Sequence, residues 1–330
     1  MPIKKPSELS FWKLFWQTFL ELLVDVKQVL KKYFNIVKAN IKLTKAQKYR
    51  LHQYGLLMRV DKPIGILLLL WPTLWSLWLA AEETPSFFLV LIFSLGVFLT
   101  RSAGCVINDY ADRNFDGKVT RTKLRPLASK KLPEKEAIIL FLVLSLVAFG
   151  LVLLLNTLSV ILSIIAIIIA TAYPYMKRVT YFPQVVLGAA FSMSIPMAFA
   201  ATTNTIPDTA WVLYIANLLW VLAYDTLYGM VDKQDDLKIG IKSTAILFGE
   251  ADLQIIAIIQ SFFIFGMILV GTKFELNFWY YLGLIIAAAL IVKQLYSCRD
   301  RAREHCFAAF LNNNWVGASI FCGILLSKSF

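Results

Sequence analysis

Nine long apolar stretches constrain the fold of this chain more than any other feature of its sequence. A membrane-spanning helix needs about 20 mainly apolar residues. Stretches of that kind lie at residues 64–81, 86–107, 137–155, 157–173, 183–201, 209–228, 252–272, 276–294 and 307–327. Charged residues make up only 16% of the chain, against about 25% in soluble globular domains. The sequence therefore predicts an all-α, polytopic membrane bundle of nine transmembrane helices, and it excludes a disordered chain or an ordinary cytosolic enzyme.

The distribution of basic residues predicts how this bundle is oriented. Lys and Arg collect in the cytoplasmic segments of membrane proteins. With the N-terminus inside, all of the 33 Lys and Arg residues except Lys273 and Lys328 fall in segments on the inner side or in the inner ends of the adjoining spans. We therefore expect a cytoplasmic N-terminus and a periplasmic C-terminus. We also expect the inner membrane of a bacterial cell, because nothing in the sequence resembles an organellar presequence.

The net charge of +12 needs no other explanation. Nucleic acid is not an expected partner, since no basic stripe lies on a soluble module. Residues 1–45 form a basic extension in which apolar positions recur at helical spacing between lysines. We expect this extension to be an amphipathic helix on anionic membrane lipid, while residues 46–330 form the transmembrane domain.

The first of two acidic segments directly follows the second predicted span, so its helix is expected to continue through the segment. Residues 108 to 116 read Asn-Asp-Tyr-Ala-Asp-Arg-Asn-Phe-Asp. Asn108, Asp112 and Asp116 recur every four residues and therefore share one helix face. Carboxylates on one face repel each other unless a cation lies between them.

The second acidic segment follows the sixth predicted span in the same way. Asp225, Asp232 and Asp236 share a helix face, whereas Asp235 points away from it. The Asp-x3-Asp-x-Lys spacing at the end of this segment repeats that of the first. Either two related halves of the bundle or convergence on one chemical need would explain the repetition.

Carboxylate pairs followed by basic residues suit a metal–diphosphate site. Mg²⁺ prefers oxygen ligands and takes one or two carboxylates together with substrate phosphates, and Lys and Arg bind phosphate oxygens. The predicted Mg²⁺ ligands are Asn108, Asp112, Asp116, Asp232 and Asp236, of which the four aspartates are also the predicted catalytic residues. The residues predicted to bind the diphosphate are Asn108, Lys118, Arg121, Arg125, Lys177, Arg178, Lys238 and Lys242. Arg59 and Asp225 are the candidates for binding a second substrate, although Arg59 could also be an ordinary flank of the first span.

These motifs resemble the UbiA superfamily of intramembrane aromatic prenyltransferases, and within it most of all the 4-hydroxybenzoate polyprenyltransferases. The resemblance covers approximately residues 50–330. It is carried by RVDKPIGILLLLWPTLWSLWLA from Arg59, NDYADRNFDGKVTRT from Asn108, YPYMKR from Tyr173 and YDTLYGMVDKQDDLKIGIKSTAILFG from Tyr224. The chain departs from the family at Lys130, where a glycine is usual, and in the length of its N-terminal extension.

The resemblance implies a nine-helix prenyltransferase domain over residues 46–330. It further implies Mg²⁺-dependent transfer of a polyprenyl chain from polyprenyl diphosphate to the 3-position of 4-hydroxybenzoate, a step of ubiquinone biosynthesis. The implied partners are these two substrates and membrane lipid, and the sequence predicts no particular protein partner.

Three other functions are compatible with parts of the sequence. A related prenyltransferase could use haem, homogentisate or a naphthoate as the acceptor. A cation transporter would place carboxylates near the middle of the membrane, whereas the four aspartates are expected at helix ends. A phosphatidyl-group transferase would need a DGxxAR run, which this sequence lacks.

Overall fold

The computed structural model of the chain describes residues 44–117 and 119–330. The predicted amphipathic extension lies outside the described residues except for its last two positions, and so does Lys118. The described residues form twelve helices: α1 (Lys45–Leu57), α2 (Ile64–Ala80), α3 (Phe87–Asp116), α4 (Glu134–Val152), α5 (Thr157–Val179), α6 (Pro183–Ser192), α7 (Ser194–Thr203), α8 (Asp208–Ile239), α9 (Thr244–Leu247), α10 (Asp252–Lys273), α11 (Phe278–Ser297) and α12 (Arg303–Ser329).

The prediction of an all-α bundle with nine apolar spans is confirmed over the described residues. Eight spans are long and apolar enough to cross a membrane, with α6 and α7 together forming one of them. The ninth, α2, has 17 residues and is therefore about 25 Å long, slightly shorter than a hydrocarbon core of about 30 Å.

Two helices are much longer than a membrane requires. Helix α3 has 30 residues and α8 has 32, so they extend about 45 and 48 Å. Both predicted continuations of helix through the acidic segments are confirmed, because α3 ends at Asp116 and α8 ends at Ile239. Gly240 ends α8 in the left-handed region, with φ of 74°, where glycine is favoured over other residues.

The span that contains Pro196 is kinked, as the sequence predicts. The proline has no backbone N–H and its ring crowds the carbonyl four residues earlier, which is that of Ser192. Helix α6 ends at Ser192 and α7 begins at Ser194. The kink therefore lies one turn before the proline rather than at it.

Helix α8 forms the centre of the bundle, and α4 and α5 lie at its edge. In α8, 67% of the most apolar 18-residue window is buried, compared with 17% in α4 and in α5. The buried aromatic rings of Trp220 and Tyr224 on α8 pack among Trp75, Phe263 and Phe310. The second acidic segment thus extends from the most buried helix of the bundle.

Chain contacts divide the molecule into two units, of which Gln53–Phe330 contains all nine apolar spans. The described residues of the other unit, 44–52, begin α1 and are all exposed. The division into an extension and a transmembrane domain at residue 45 stays a prediction.

Candidate active site

Residues of both acidic segments line one cavity of about 1200 Å³. Side chains from the final turns of α3 and α8 form its polar end, together with the loop that connects α3 to α4. Apolar and small side chains from α2 to α7 and from α12 line the remainder, including Phe93, Val97, Ile164, Leu187 and Met197. The cavity therefore offers one charged end and one apolar end to the same ligand.

The predicted ligands of the first segment lie together on this wall. Asp112 and Asp116 are each 6% exposed. The ammonium of Lys177 lies 3.1 Å from a carboxylate oxygen of Asp112, and the guanidinium of Arg125 lies 3.0 Å from Asp116. Helix α3 presents the two carboxylates on one face because they are four residues apart.

The second segment supplies its carboxylates from the facing end of α8. Asp232 is 8% exposed and forms an ion pair with Arg121, which reaches it from the α3–α4 loop. Asp236 also lines the cavity, and its carboxylate makes no ion pair within the described part of the chain. Asp225 lines the cavity two turns deeper along α8 and is buried.

One acidic residue has a role that the sequence did not reveal. Asp109 is 1% exposed and accepts hydrogen bonds on both carboxylate oxygens from Arg59, each of 2.8 Å. It also accepts a bond of 2.9 Å from Arg125. Asp109 therefore holds two arginines at the polar end, and Arg125 connects it to Asp116. Its spacing of seven residues from Asp116 places both on one side of α3, and that spacing was the available signal.

The predicted diphosphate-binding residues divide into two groups. Arg121, Arg125, Lys177 and Lys242 line the cavity, and so does Asn108. Of the other described candidates, Arg178 donates to the backbone carbonyl of Ala111 outside the cavity wall, and Lys238 is exposed at the end of α8. Lys118 lies outside the described residues. The structure thus brings five of the predicted residues to the cavity.

The two loop arginines are held in their charged form. Burial would lower the pKa of the Arg125 guanidinium, but the carboxylates of Asp109 and Asp116 outweigh burial and raise it. Burial opposes the charge of Arg121 in the same way, and Tyr228 and Asp232 raise its pKa above the usual value. Both side chains therefore carry a full positive charge toward any anionic ligand in the cavity.

A further arginine lies deeper on the same wall. Arg101 lies two helical turns before Asn108 on α3, donates to the backbone carbonyl of Gly65 and contacts the ring of Phe191. Within the described part of the chain it makes no ion pair, whereas Arg59 is engaged by Asp109. The sequence signal was a single arginine inside an otherwise apolar span, which in a membrane protein indicates a functional position.

The donor set fits Mg²⁺. All the predicted ligand atoms are oxygens, and the amide oxygen of Asn108 is buried without a hydrogen-bond partner. Within residues 44–117 and 119–330, no group of three or more His, Cys, Asp or Glu side chains could hold a metal ion by itself. Two carboxylate pairs on separate helices instead match a cation whose coordination is completed by substrate phosphates.

Comparison with known proteins identifies the family. The model of the UbiA prenyltransferase family matches residues 69–317. The chain belongs to this family.

Curated bacterial relatives align with most of the chain. A protein of Ectopseudomonas mendocina (strain ymp) named 4-hydroxybenzoate octaprenyltransferase is 57% identical over 270 residues, which cover 82% of this chain and 91% of that protein. A protein of the same name from Aeromonas salmonicida (strain A449) is 56% identical over 274 residues, with 83% and 95% covered. Both alignments include nearly the whole of the relatives.

Solved structures of the family share the fold. The apo structure of a UbiA homologue from Aeropyrum pernix K1 superposes with a TM-score of 0.70 at 23% identity, and covers 79% of this chain and 97% of that one. A UbiA homologue from Archaeoglobus fulgidus bound to GPP and Mg²⁺ superposes with a TM-score of 0.60 at 14% identity, with 84% and 100% covered. The chain is therefore a polytopic membrane protein with the UbiA fold.

Proposed function

We propose that this protein transfers a polyprenyl chain from polyprenyl diphosphate to the 3-position of 4-hydroxybenzoate, as a step of ubiquinone biosynthesis. The observation that carries the proposal is the cavity, in which four carboxylates and several cations at one end adjoin a long apolar remainder. Relatives more than half identical over most of the chain carry the name of this activity. The proposed location is the bacterial inner membrane, with the N-terminus in the cytoplasm.

The polar end is proposed to bind the diphosphate together with Mg²⁺. Asp112, Asp116, Asp232 and Asp236 would hold the metal, with Asn108 adding an amide oxygen. When bound, Mg²⁺ neutralises the charge that develops on the diphosphate as it leaves. Because a bound cation and anionic phosphates would compete for the existing ion pairs, Arg121, Arg125 and Lys177 would exchange carboxylate oxygens for phosphate oxygens.

The apolar remainder is proposed to bind the prenyl chain. Each methylene removed from water contributes about 0.8 kcal/mol, so a long tail favours this environment strongly. The apolar wall also excludes water, which would otherwise capture the allylic cation that forms when the carbon–oxygen bond breaks. The electron-rich ring then attacks this cation, and transfer of the ring proton to the released diphosphate or to one of the aspartates restores aromaticity.

Arg101 is proposed to bind the carboxylate of the acceptor in place of Arg59. The guanidinium of Arg59 already makes two hydrogen bonds with Asp109, so its charge is paired within the protein. Arg101 lines the same cavity as Asp225, the other predicted acceptor residue, and makes no ion pair within the described part of the chain. It lies about 10 Å before Asn108 along α3, which leaves space for an aromatic ring between the two.

Purified protein in lipid with Mg²⁺, a polyprenyl diphosphate and radiolabelled 4-hydroxybenzoate tests the proposal. We expect label to enter the organic phase in the wild type, and EDTA to abolish the transfer. Transfer to another aromatic acceptor but not to 4-hydroxybenzoate would contradict the assigned acceptor. The Asp112→Ala variant in the same vesicles controls for label that partitions without reaction.

A further inference from the structure

The hydroxyl group of Tyr224 is buried at the cavity wall without a hydrogen-bond partner among the described residues. Tyr224 itself is 1% exposed. Buried tyrosine hydroxyls usually find a partner, and other tyrosines here follow that rule. The hydroxyl of Tyr214, on the same helix, donates to the carbonyl of Ala189 at 3.1 Å, and that of Tyr280 donates to Met267 at 2.7 Å. Tyr224 is the exception, and it is the one of these three that lines the cavity.

The ring of Tyr224 is fixed from behind. The indole of Trp220 packs edge-on at 5.3 Å between ring centroids, and Phe310 packs against Tyr224 at 6.0 Å. A chain of hydrogen bonds holds this backing in place. The indole N–H of Trp220 donates to Asn313 at 2.9 Å, and the amide of Asn313 donates to Gln294 at 3.1 Å.

A fixed ring keeps its hydroxyl in one place, and Arg101 lines the same cavity as Tyr224. The side chain of Arg101 makes no ion pair within residues 44–117 and 119–330, although it lies deep in the bundle. A hydroxyl without a hydrogen-bond partner and a guanidinium without an ion pair, both lining one cavity, match the needs of a carboxylate, because a carboxylate accepts hydrogen bonds and carries the opposite charge.

We propose that the Tyr224 hydroxyl donates a hydrogen bond to the carboxylate of the acceptor substrate beside Arg101, and so helps to select carboxylated acceptors. This inference rests on the proposed function. The carboxylate lies para to the phenolic hydroxyl and takes no part in bond making. The contact is therefore equally strong before and during the reaction, and its loss should raise KM for the acceptor and leave kcat unchanged.

The Tyr224→Phe variant tests this with two acceptors, 4-hydroxybenzoate and 4-methylphenol, which has a methyl group in place of the carboxylate. We expect KM for 4-hydroxybenzoate to rise about tenfold, the ordinary cost of losing a hydrogen bond to a charged group. The constants for 4-methylphenol and for the polyprenyl diphosphate should stay as in the wild type. The matched control is Tyr214→Phe, which removes a hydroxyl from the same helix and should leave KM for both acceptors unchanged.

The melting temperature separates this role from a structural one. Since the Tyr224 hydroxyl has no described partner to lose, Tyr224→Phe should melt no lower than the wild type. A lower melting temperature together with equal losses for both acceptors would overturn the inference, and so would an unchanged KM for 4-hydroxybenzoate. A wild type that transfers no prenyl group to 4-hydroxybenzoate would overturn the proposed function first, and this inference with it.

A double-mutant cycle with Arg101→Gln sharpens the test. If the two side chains hold the same carboxylate, their effects on KM for 4-hydroxybenzoate should not multiply. The double variant should then bind little worse than Arg101→Gln alone. Independent, fully multiplying effects would assign the two residues to different groups of the substrates and would overturn the shared site.

Discussion

The two acidic segments share one spacing, but their surroundings differ. In the first segment, both carboxylates of the ligand face are already paired with cations from elsewhere in the chain, Asp112 with Lys177 and Asp116 with Arg125. In the second, Asp232 is paired with Arg121, whereas Asp236 has no ion pair in the described part of the chain. The same pattern on two helices thus produces one face whose carboxylate charges are all paired and one face with a carboxylate that is still available to a cation.

The other charged residues of the two segments differ more. In the first segment, Asp109 holds Arg59 and Arg125, both of which belong to the polar end of the cavity. In the second, Lys233 reaches Asp252 at the start of α10, and Asp235 reaches Arg303 at the start of α12. The first segment therefore organises the site, while the second is fastened to its neighbouring helices.

The largest expected effect removes one ligand from each segment. Asp112→Ala and Asp232→Ala should each reduce prenyl transfer by at least about 1000-fold, because the charge of the departing diphosphate loses a preorganised partner. Both variants should remain in the membrane fraction with normal yield. Turnover measured with radiolabelled acceptor checks this, and substantial activity in both variants would exclude the two-segment site.

A smaller effect distinguishes Asp109 of the first segment from Asp235 of the second. Asp109→Asn should lower activity about 10- to 100-fold, the usual consequence of losing a group that orients the residues around a metal. Asp235→Asn is the matched control on the second segment and should lower activity only a few-fold, because Arg303 is 38% exposed in their ion pair. Equal losses in steady-state assays of the two variants would remove the proposed difference between the segments.

The ion pair between Lys233 of the second segment and Asp252 should contribute to the free energy of unfolding. Asp252 is completely buried and pairs with Lys233 and Arg301. Asp252→Asn should reduce the free energy of unfolding by about 2 kcal/mol, below the 3–5 kcal/mol for a fully buried pair, because the Arg301 side chain is 41% exposed. The melting temperature should fall by about 3 °C.

Asp300→Asn is the control for that measurement. Asp300 pairs with His305 at the surface, where both side chains are about half exposed, and exposed pairs contribute little. Its melting temperature should match that of the wild type. A similar fall in both variants would indicate that charge in this region, rather than the buried anchor of α8, sets the stability.

The smallest expected effect concerns Lys238, a basic residue that follows the second segment, and Lys177 provides the contrast. Lys238→Ala should change activity less than twofold, because Lys238 is exposed and lies off the cavity wall. Lys177→Ala should raise KM for the polyprenyl diphosphate about tenfold or more, since a charge-assisted hydrogen bond to phosphate is lost. Comparable changes in both constants would mean that basic charge near the cavity matters more than its position.

The nine spans and the ligand faces were predictable because the sequence patterns that specify them are local. The length of each apolar stretch determined the nine spans, and a repeat of four residues placed Asp112 and Asp116 on one face of α3. Pro196 predicted a kink, since a missing N–H disrupts its own helix whatever surrounds it. Such properties depend on residues within one or two helical turns, and the sequence contains all of them.

Only the tertiary structure decided which groups meet across helices. Lys177 lies 65 residues from Asp112 and Arg121 lies 111 residues from Asp232, and no periodicity connects positions so distant. The engagement of Arg59 by Asp109, the unpaired charge of Arg101 and the isolated hydroxyl of Tyr224 arise in the same way. Each depends on which helix packs beside which, and packing results from the whole set of apolar faces rather than from any single segment.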